Sequence, residues 1–230
     1  MKSYGQYCPV ARASELLAER WTLILVRNLL AGCGTFGELR AGAPGIPKAL
    51  LSARLESLTR AEVVVRRSRA TGRGWEYQLT EKGRALKPVC EALGEWGAAW
   101  LETEPHHLDP AYALWATAKL VDLKKVPPPG VTIRFDLTEG AAARRFWMLL
   151  FEPRAEVCTT SMGRDEDLVV STDAQTLVDL NMRRTSLAAA TRSGRLQLSG
   201  PRGLIRALPS WVGPSPYAGT QRRVPERSPR

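Results

Sequence analysis

Residues able to do covalent, acid–base or metal chemistry are few and scattered in this chain. The four cysteines, Cys8, Cys33, Cys90 and Cys158, are far apart and none forms a C-x-x-C pair. That spacing holds no evident zinc set or disulfide framework and fits a reducing compartment. The two histidines, His106 and His107, are adjacent, with Asp109 nearby and prolines on both sides. Without a further ligand cluster they read as a solvated loop rather than a metal site. The stretch "GCGTFG", residues 32–37, matches the glycine spacing of dinucleotide sites, but that use needs a preceding strand. The apolar run "RWTLILVRNLLAG" before it reads as a helix, with Gly32 as its C-cap. There is no nucleophile elbow and no paired-carboxylate motif. The sequence therefore gives no support for catalysis, and no cofactor or metal is expected. Cys8 precedes a proline. A reactive thiol should be exposed and have a lowered pKa. Tyr7 and Pro9 do not supply that, although Lys2 or Arg12 could. The alternative role for Cys8 is apolar packing at an interface.

Charge says more. The chain has 230 residues and a net charge of +10, which favours a polyanion: nucleic acid first, an anionic membrane surface second. Between residues 44 and 87 ten basic residues face four acidic ones, an excess of six. Arg66, Arg67, Arg69 and Arg73 surround one Gly-containing turn. A hydrophobic fraction of 44% is that of a globular protein. Apolar runs such as "FWMLLF" are far shorter than the ~20 residues of a membrane span. The N-terminus "MKSYGQYCPV" lacks an apolar signal segment. A cytoplasmic location with no membrane partner is expected.

The elements that must position these charges follow from periodicity. "PVARASELLAE" and "RWTLILVRNLLAG" read as helices. "TFGELRAG" is a short helix with a capping box from Thr35 to Glu38. "GIPKALLSARLESL" places Leu51, Leu55 and Leu58 on one stripe and Ala49, Ser52, Ala53 and Glu56 opposite. "VVVRRSRATGRGWEYQLT" is a hairpin. "EKGRALKPVCEALGEWGAAWLE" reads as one long helix. Helix, helix, short helix, helix, hairpin, helix is the order of a winged helix-turn-helix, with the fourth helix for the major groove and the hairpin for the phosphate backbone.

"YCPVARASELLAERWTLILVRNLL", "TFGELR", "GIPKALLSARLESL" and "YQLTEKGRAL" together resemble the HxlR family of bacterial winged-helix transcription regulators over about residues 4–100. The resemblance implies a homodimer, held by the first helix and the long closing helix, that binds double-stranded operator DNA. It also includes a cysteine before Pro-Val, which in some relatives is a redox sensor. Two departures stand out. Glu62 occupies a position where the family commonly has Gly, and Ala49 stands where some members have Lys. The expected DNA contacts are Lys48, Ala49, Ser52, Ala53 and Arg54 on the fourth helix and Arg66, Arg67, Arg69 and Arg73 on the wing. Ala49 and Ala53 can offer only apolar contact, so direct base reading is thin and DNA shape carries more of the specificity. Arg54 flanks the leucine stripe and has an equal claim to bond within the protein.

"TEPHHLDP" breaks the chain. Beyond it "AYALWATAKLVD" is helical, "VTIRFDL" alternates as a strand, and further strands precede two short helices, a strand and a closing helix. This is an α+β pattern on an antiparallel sheet. The stretch from "DLVVSTDAQTLVDL" to "LIRALPSWV" resembles the sterol-carrier-protein type 2 fold. That resemblance implies binding of an apolar small molecule or lipid, with Trp147, Leu149, Leu180, Met182, Leu187 and Trp211 as candidate lining residues or, alternatively, plain core. The expected organisation is a DNA-binding and dimerisation domain over 1–102, a linker over 103–110, a sterol-carrier-like domain over 111–218, and a basic disordered tail over 219–230. The functional expectation is a dimeric transcription regulator with a ligand-sensing second domain. The alternative is a carrier of lipid or apolar metabolites whose basic domain is only a tether.

Overall fold

The computed structural model describes residues 3–69, 74–139 and 142–223. The chain divides into two units, Met1–Gly94 and Glu95–Arg230. The first carries helices α1 (Pro9–Leu17), α2 (Thr22–Leu30), α3 (Phe36–Ala41) and α4 (Lys48–Arg60). The hairpin β1 (Val64–Ser68) and β2 (Trp75–Leu79), the short helix α5 (Glu81–Arg84) and the start of α6 (Lys87–Trp100) follow.

Local chemistry sets these boundaries. Gly32 takes a positive φ of 79° just past α2. Its N–H and that of Cys33 close back on the carbonyls of Leu29 and Asn28, both at 3.0 Å. That is a glycine-terminated helix end and disposes of the dinucleotide reading. The capping box of α3 is present in both directions. Leu51, Leu55 and Leu58 are fully buried, each contributing about 2 kcal/mol of burial. At the end of α4, Glu62 occupies the left-handed position with φ 60°, and its N–H and that of Val63 bond to the Thr59 and Leu58 carbonyls. This is the same helix end as at Gly32, built without glycine.

One boundary differs from the sequence reading. The closing helix is not continuous: α5 stops at Arg84 and α6 starts at Lys87. Pro88 explains the break, because its ring excludes the carbonyl four residues back and it has no N–H to offer.

The second unit holds α7 (Pro110–Lys119), β3 (Val131–Glu139), β4 (Ala142–Phe151), β5 (Arg154–Cys158), β6 (Leu168–Asp173), α8 (Ala174–Asn181), α9 (Leu187–Arg192), β7 (Gln197–Ser199) and α10 (Arg202–Trp211). The strands form one sheet in the order β5-β4-β3-β6-β7. Val131, Ile133, Phe135 and Leu137 share one buried face with Phe146, Met148 and Leu150 of β4. The helices cover that face and complete the core.

The sheet is antiparallel except at its centre, where β3 and β6 run parallel, with Ile133 opposite Leu168. After β5 the chain crosses the other face of the sheet through residues 159–167 before entering β6. That crossing is pinned by Trp147 Nε1 donating to Glu166 at 2.8 Å and by the Thr132 N–H donating to Asp167 at 2.8 Å.

Candidate DNA-binding face and apolar cavity

In the first unit, a buried polar network holds the turn between α3 and α4. Asn28 is fully buried, and its Nδ2 donates to the Leu39 carbonyl at 3.1 Å. Arg27 donates to Asn28 Oδ1 at 2.8 Å and to the Gly42 carbonyl at 2.8 Å. Burying an amide is costly unless it is bonded, so this pair fixes the C-terminal end of α3 against α2. Sequence reasoning missed both residues. Their signal was the Arg-Asn pair interrupting an otherwise apolar helix.

On α4, Lys48, Ala49, Ser52 and Ala53 all lie on the exposed face. Pro47 at the N-cap supplies no side-chain cap, which leaves the positive end of α4 open to an anion. Arg54 is differently placed. Its Nη2 pairs with Glu19 at 2.6 Å and its Nε donates to the Arg20 carbonyl at 3.1 Å. It ties α4 to the segment joining α1 and α2.

The hairpin pairs Arg66 with Tyr77, Arg67 with Glu76 and Ser68 with Trp75. Its base is locked to the rest of the unit by the Tyr77 N–H donating to the Gly34 carbonyl at 2.8 Å. Arg66 and Arg67 are exposed and Arg69 is half-buried. The Arg66 guanidinium lies over the Trp75 ring at 3.9 Å, a cation–π contact. Arg73 lies outside the described residues. Cys8 is a half-buried thiol at the N-cap of α1. His106 and His107 form an exposed turn in which His107 Nδ1 accepts from the Glu104 N–H at 3.0 Å.

In the second unit a cavity of about 610 Å³ opens among α7, α8, α9, α10 and the sheet. Phe135, Val170, Leu177, Leu180, Leu187 and Leu196 make it apolar. Thr117 and Asn181 add one polar spot, the Asn181 Nδ2 donating to Thr117 Oγ1 at 3.0 Å. Arg183 and Arg184 line it as well. Arg184 and Arg195 both pair with Asp179.

Of the six candidate lining residues, Leu180 and Leu187 line this cavity and four do not. Trp147 and Leu149 alternate with the core-facing Phe146, Met148 and Leu150, so they project from the opposite face of the sheet. There Trp147 anchors the crossing segment. Met182 is the C-cap residue of α8. Trp211 is buried as part of the core.

Two family models match this chain. The HxlR-like helix-turn-helix model matches residues 16–105, and the SCP-2 sterol transfer family model matches residues 116–211. The uncharacterized HTH-type transcriptional regulator YvaP of Bacillus subtilis is 36% identical over 108 residues, covering 46% of this chain and 97% of the relative. The uncharacterized HTH-type regulator sll1512 of Synechocystis is 32% identical over 101 residues, 44% of this chain and 75% of that one. The reduced form of the transcriptional regulator YodB from B. subtilis is 31% identical, with a TM-score of 0.36, over 40% of this chain and 92% of that chain. Among the described residues no helix is long and apolar enough to cross a membrane. The chain thus belongs to the HxlR-like helix-turn-helix family of transcriptional regulators, and its second half carries a domain matching the SCP-2 sterol transfer family.

Proposed function

We propose that this protein is a homodimeric regulator that grips duplex DNA through α4 and the wing, and whose second unit binds an apolar small molecule that adjusts operator affinity. The observation that carries the DNA reading is the bare face of α4, with Lys48, Ala49, Ser52 and Ala53 uncovered beside an uncapped helix start. The exposed Arg66 and Arg67 of the wing complement it. In this reading Lys48 and Ser52 reach phosphates or base edges and the alanines touch thymine methyls. Arg54 positions α4 instead of contacting DNA.

Dimerisation is supported by one apolar stripe left uncovered on α6. Val89 is 44% exposed, Leu93 52% and Trp96 54%, while Tyr7 and Val10 at the start of the chain are 98% and 74% exposed. Large apolar groups bared together mark an interaction surface. The cavity supports ligand binding: it is apolar, with few polar groups, in the size range of small-molecule sites.

A gel shift on the DNA upstream of the protein's own gene tests the core of this reading. Specific retardation that survives competitor DNA is expected. Binding to every duplex equally would favour the second reading, an apolar-ligand carrier with a basic tether, which the cavity also supports.

A further inference from the structure

The chain does not end at α10. Residues 212–223 run on from the cavity to the C-terminal end of α6, and the last of these, 219–223, belong to the stretch that reads from the sequence as a disordered tail. Val212, Gly213 and Pro214 line the cavity. The Gly213 N–H donates to the Leu120 carbonyl and the Ser215 N–H to the Asn181 carbonyl, both at 2.8 Å, and Asn181 is itself a lining residue. Two turns follow, closed by Ala218 N–H to the Ser215 carbonyl at 2.9 Å and Thr220 N–H to the Tyr217 carbonyl at 3.2 Å. At the far end the Arg223 N–H donates to the Ala99 carbonyl at 2.7 Å. The Arg223 guanidinium lies 5.7 Å over the Trp100 ring, and Arg222 pairs with Glu102.

The last four carbonyls of a helix have no partner within it, and that end carries partial negative charge. The Arg223 N–H takes one of these carbonyls, and the two guanidinium groups bring positive charge to this end of α6. We propose that residues 212–223 form a strap that carries occupancy of the cavity to the last turn of α6, with Arg222 and Arg223 as positioning residues. The inference rests on the reading of the second unit as a ligand sensor and names the route of its regulation. A ligand touching Val212, Gly213 and Pro214 interacts differently with the docked and released strap, and only such a difference can shift their populations. The helix that receives the signal also carries Val89, Leu93 and Trp96.

The experiment uses the full chain and 11-(dansylamino)undecanoic acid, a fluorescent single-chain apolar probe, read by probe fluorescence, hydrogen exchange and affinity for the upstream duplex. Bound probe is expected to change exchange at residues 215–223 and in the last turn of α6, and to move duplex affinity about five-fold, the lower end of usual coupling. Glu102→Arg and Arg222→Glu each bind the probe as wild type does but lose the shift. The two reversals together restore it, a rescue that mere loss of stability would not give. Probe bound with unchanged exchange at 215–223, or single variants that keep the shift, would overturn the strap. Changed exchange with an unmoved wild-type duplex affinity leaves the strap standing and overturns the sensor reading. No probe binding removes the ligand reading and the strap together.

Discussion

The first unit carries its candidate site on its exterior, and the second holds its own in its interior. In the first, the residues of interest point outward from a helix whose inner stripe is sealed by leucines, and polar locks such as Asn28 and Glu38 hold the frame. In the second, the site is an interior volume, and its walls are the same residue types that fill the core elsewhere. The proposed partners differ accordingly. A rigid polyanion is met by exposed charge, and an apolar molecule by space left unfilled. A surface site is written in the residues that remain exposed, while a cavity is written in where the packing stops.

Substitutions at two glycines should separate the two units most strongly. A Cβ at Gly83 would lie 2.2 Å from the Val63 carbonyl oxygen, and one at Gly130 would lie 2.2 Å from a Phe151 ring carbon. Gly130 also has a φ of 134°, so a side chain there adds backbone strain. We expect Gly83→Ala to cost about 3 kcal/mol or more and to abolish DNA binding while probe binding in the cavity survives. Gly130→Ala should do the reverse. If either variant loses both activities, the units do not fold independently.

Next in size is the wing. Arg66→Ala with Arg67→Ala should weaken duplex binding about 10- to 100-fold at moderate salt and lower the salt slope by about 2, since each phosphate contact releases counterions. Unchanged affinity would remove the wing from the interface. Leu187→Trp then tests the cavity, and we expect probe affinity to fall about ten-fold as the added volume occupies it. DNA affinity without probe should stay as it was.

A smaller effect is expected at Glu62. Glu62→Gly relieves the left-handed backbone and gives part of the gain back as unfolded-state entropy, for a net stabilisation of about 0.5 kcal/mol read from the denaturation midpoint. The smallest effect compares one thiol in each unit. Burial raises the pKa of Cys90, and burial followed by the Glu156 charge raises that of Cys158. Both should alkylate more slowly at pH 8 than a free model thiol, and faster labelling would show that burial does not govern them.

How much of this was legible in the sequence depends on range. The helix order, the capping box at Thr35, the Gly32 helix end and the leucine stripe of α4 are signals within a few residues, and the chain carries them openly. The departure at Glu62 was visible too, and the structure gives its cost as a positive φ. The break before α6 was available in Pro88, but the apolar periodicity on both sides hid it. Trp147 and Leu149, candidates for lining the cavity, face away from it, because alternation tells which residues share a side, not which side meets the helices. Asn28 and the Glu19 pairing of Arg54 need partners far away in sequence, and no local pattern specifies them.

The parallel seam between β3 and β6 has a consequence for how the second unit is made. β3 pairs on one side with β4, its neighbour along the chain, and on the other with β6, whose partner for Ile133 is Leu168. Along the chain β4 follows β3 directly, whereas β6 comes only after β5 and the whole crossing segment. Non-local parallel pairing is slow to form, and until it forms one side of β3 has unpaired backbone groups. Such an edge is a template for strand addition by another nascent copy. Arg134 and Asp136, charged residues midway along β3 that pair with each other at 3.1 Å in the finished fold, are the kind of gatekeepers that guard an edge while it waits.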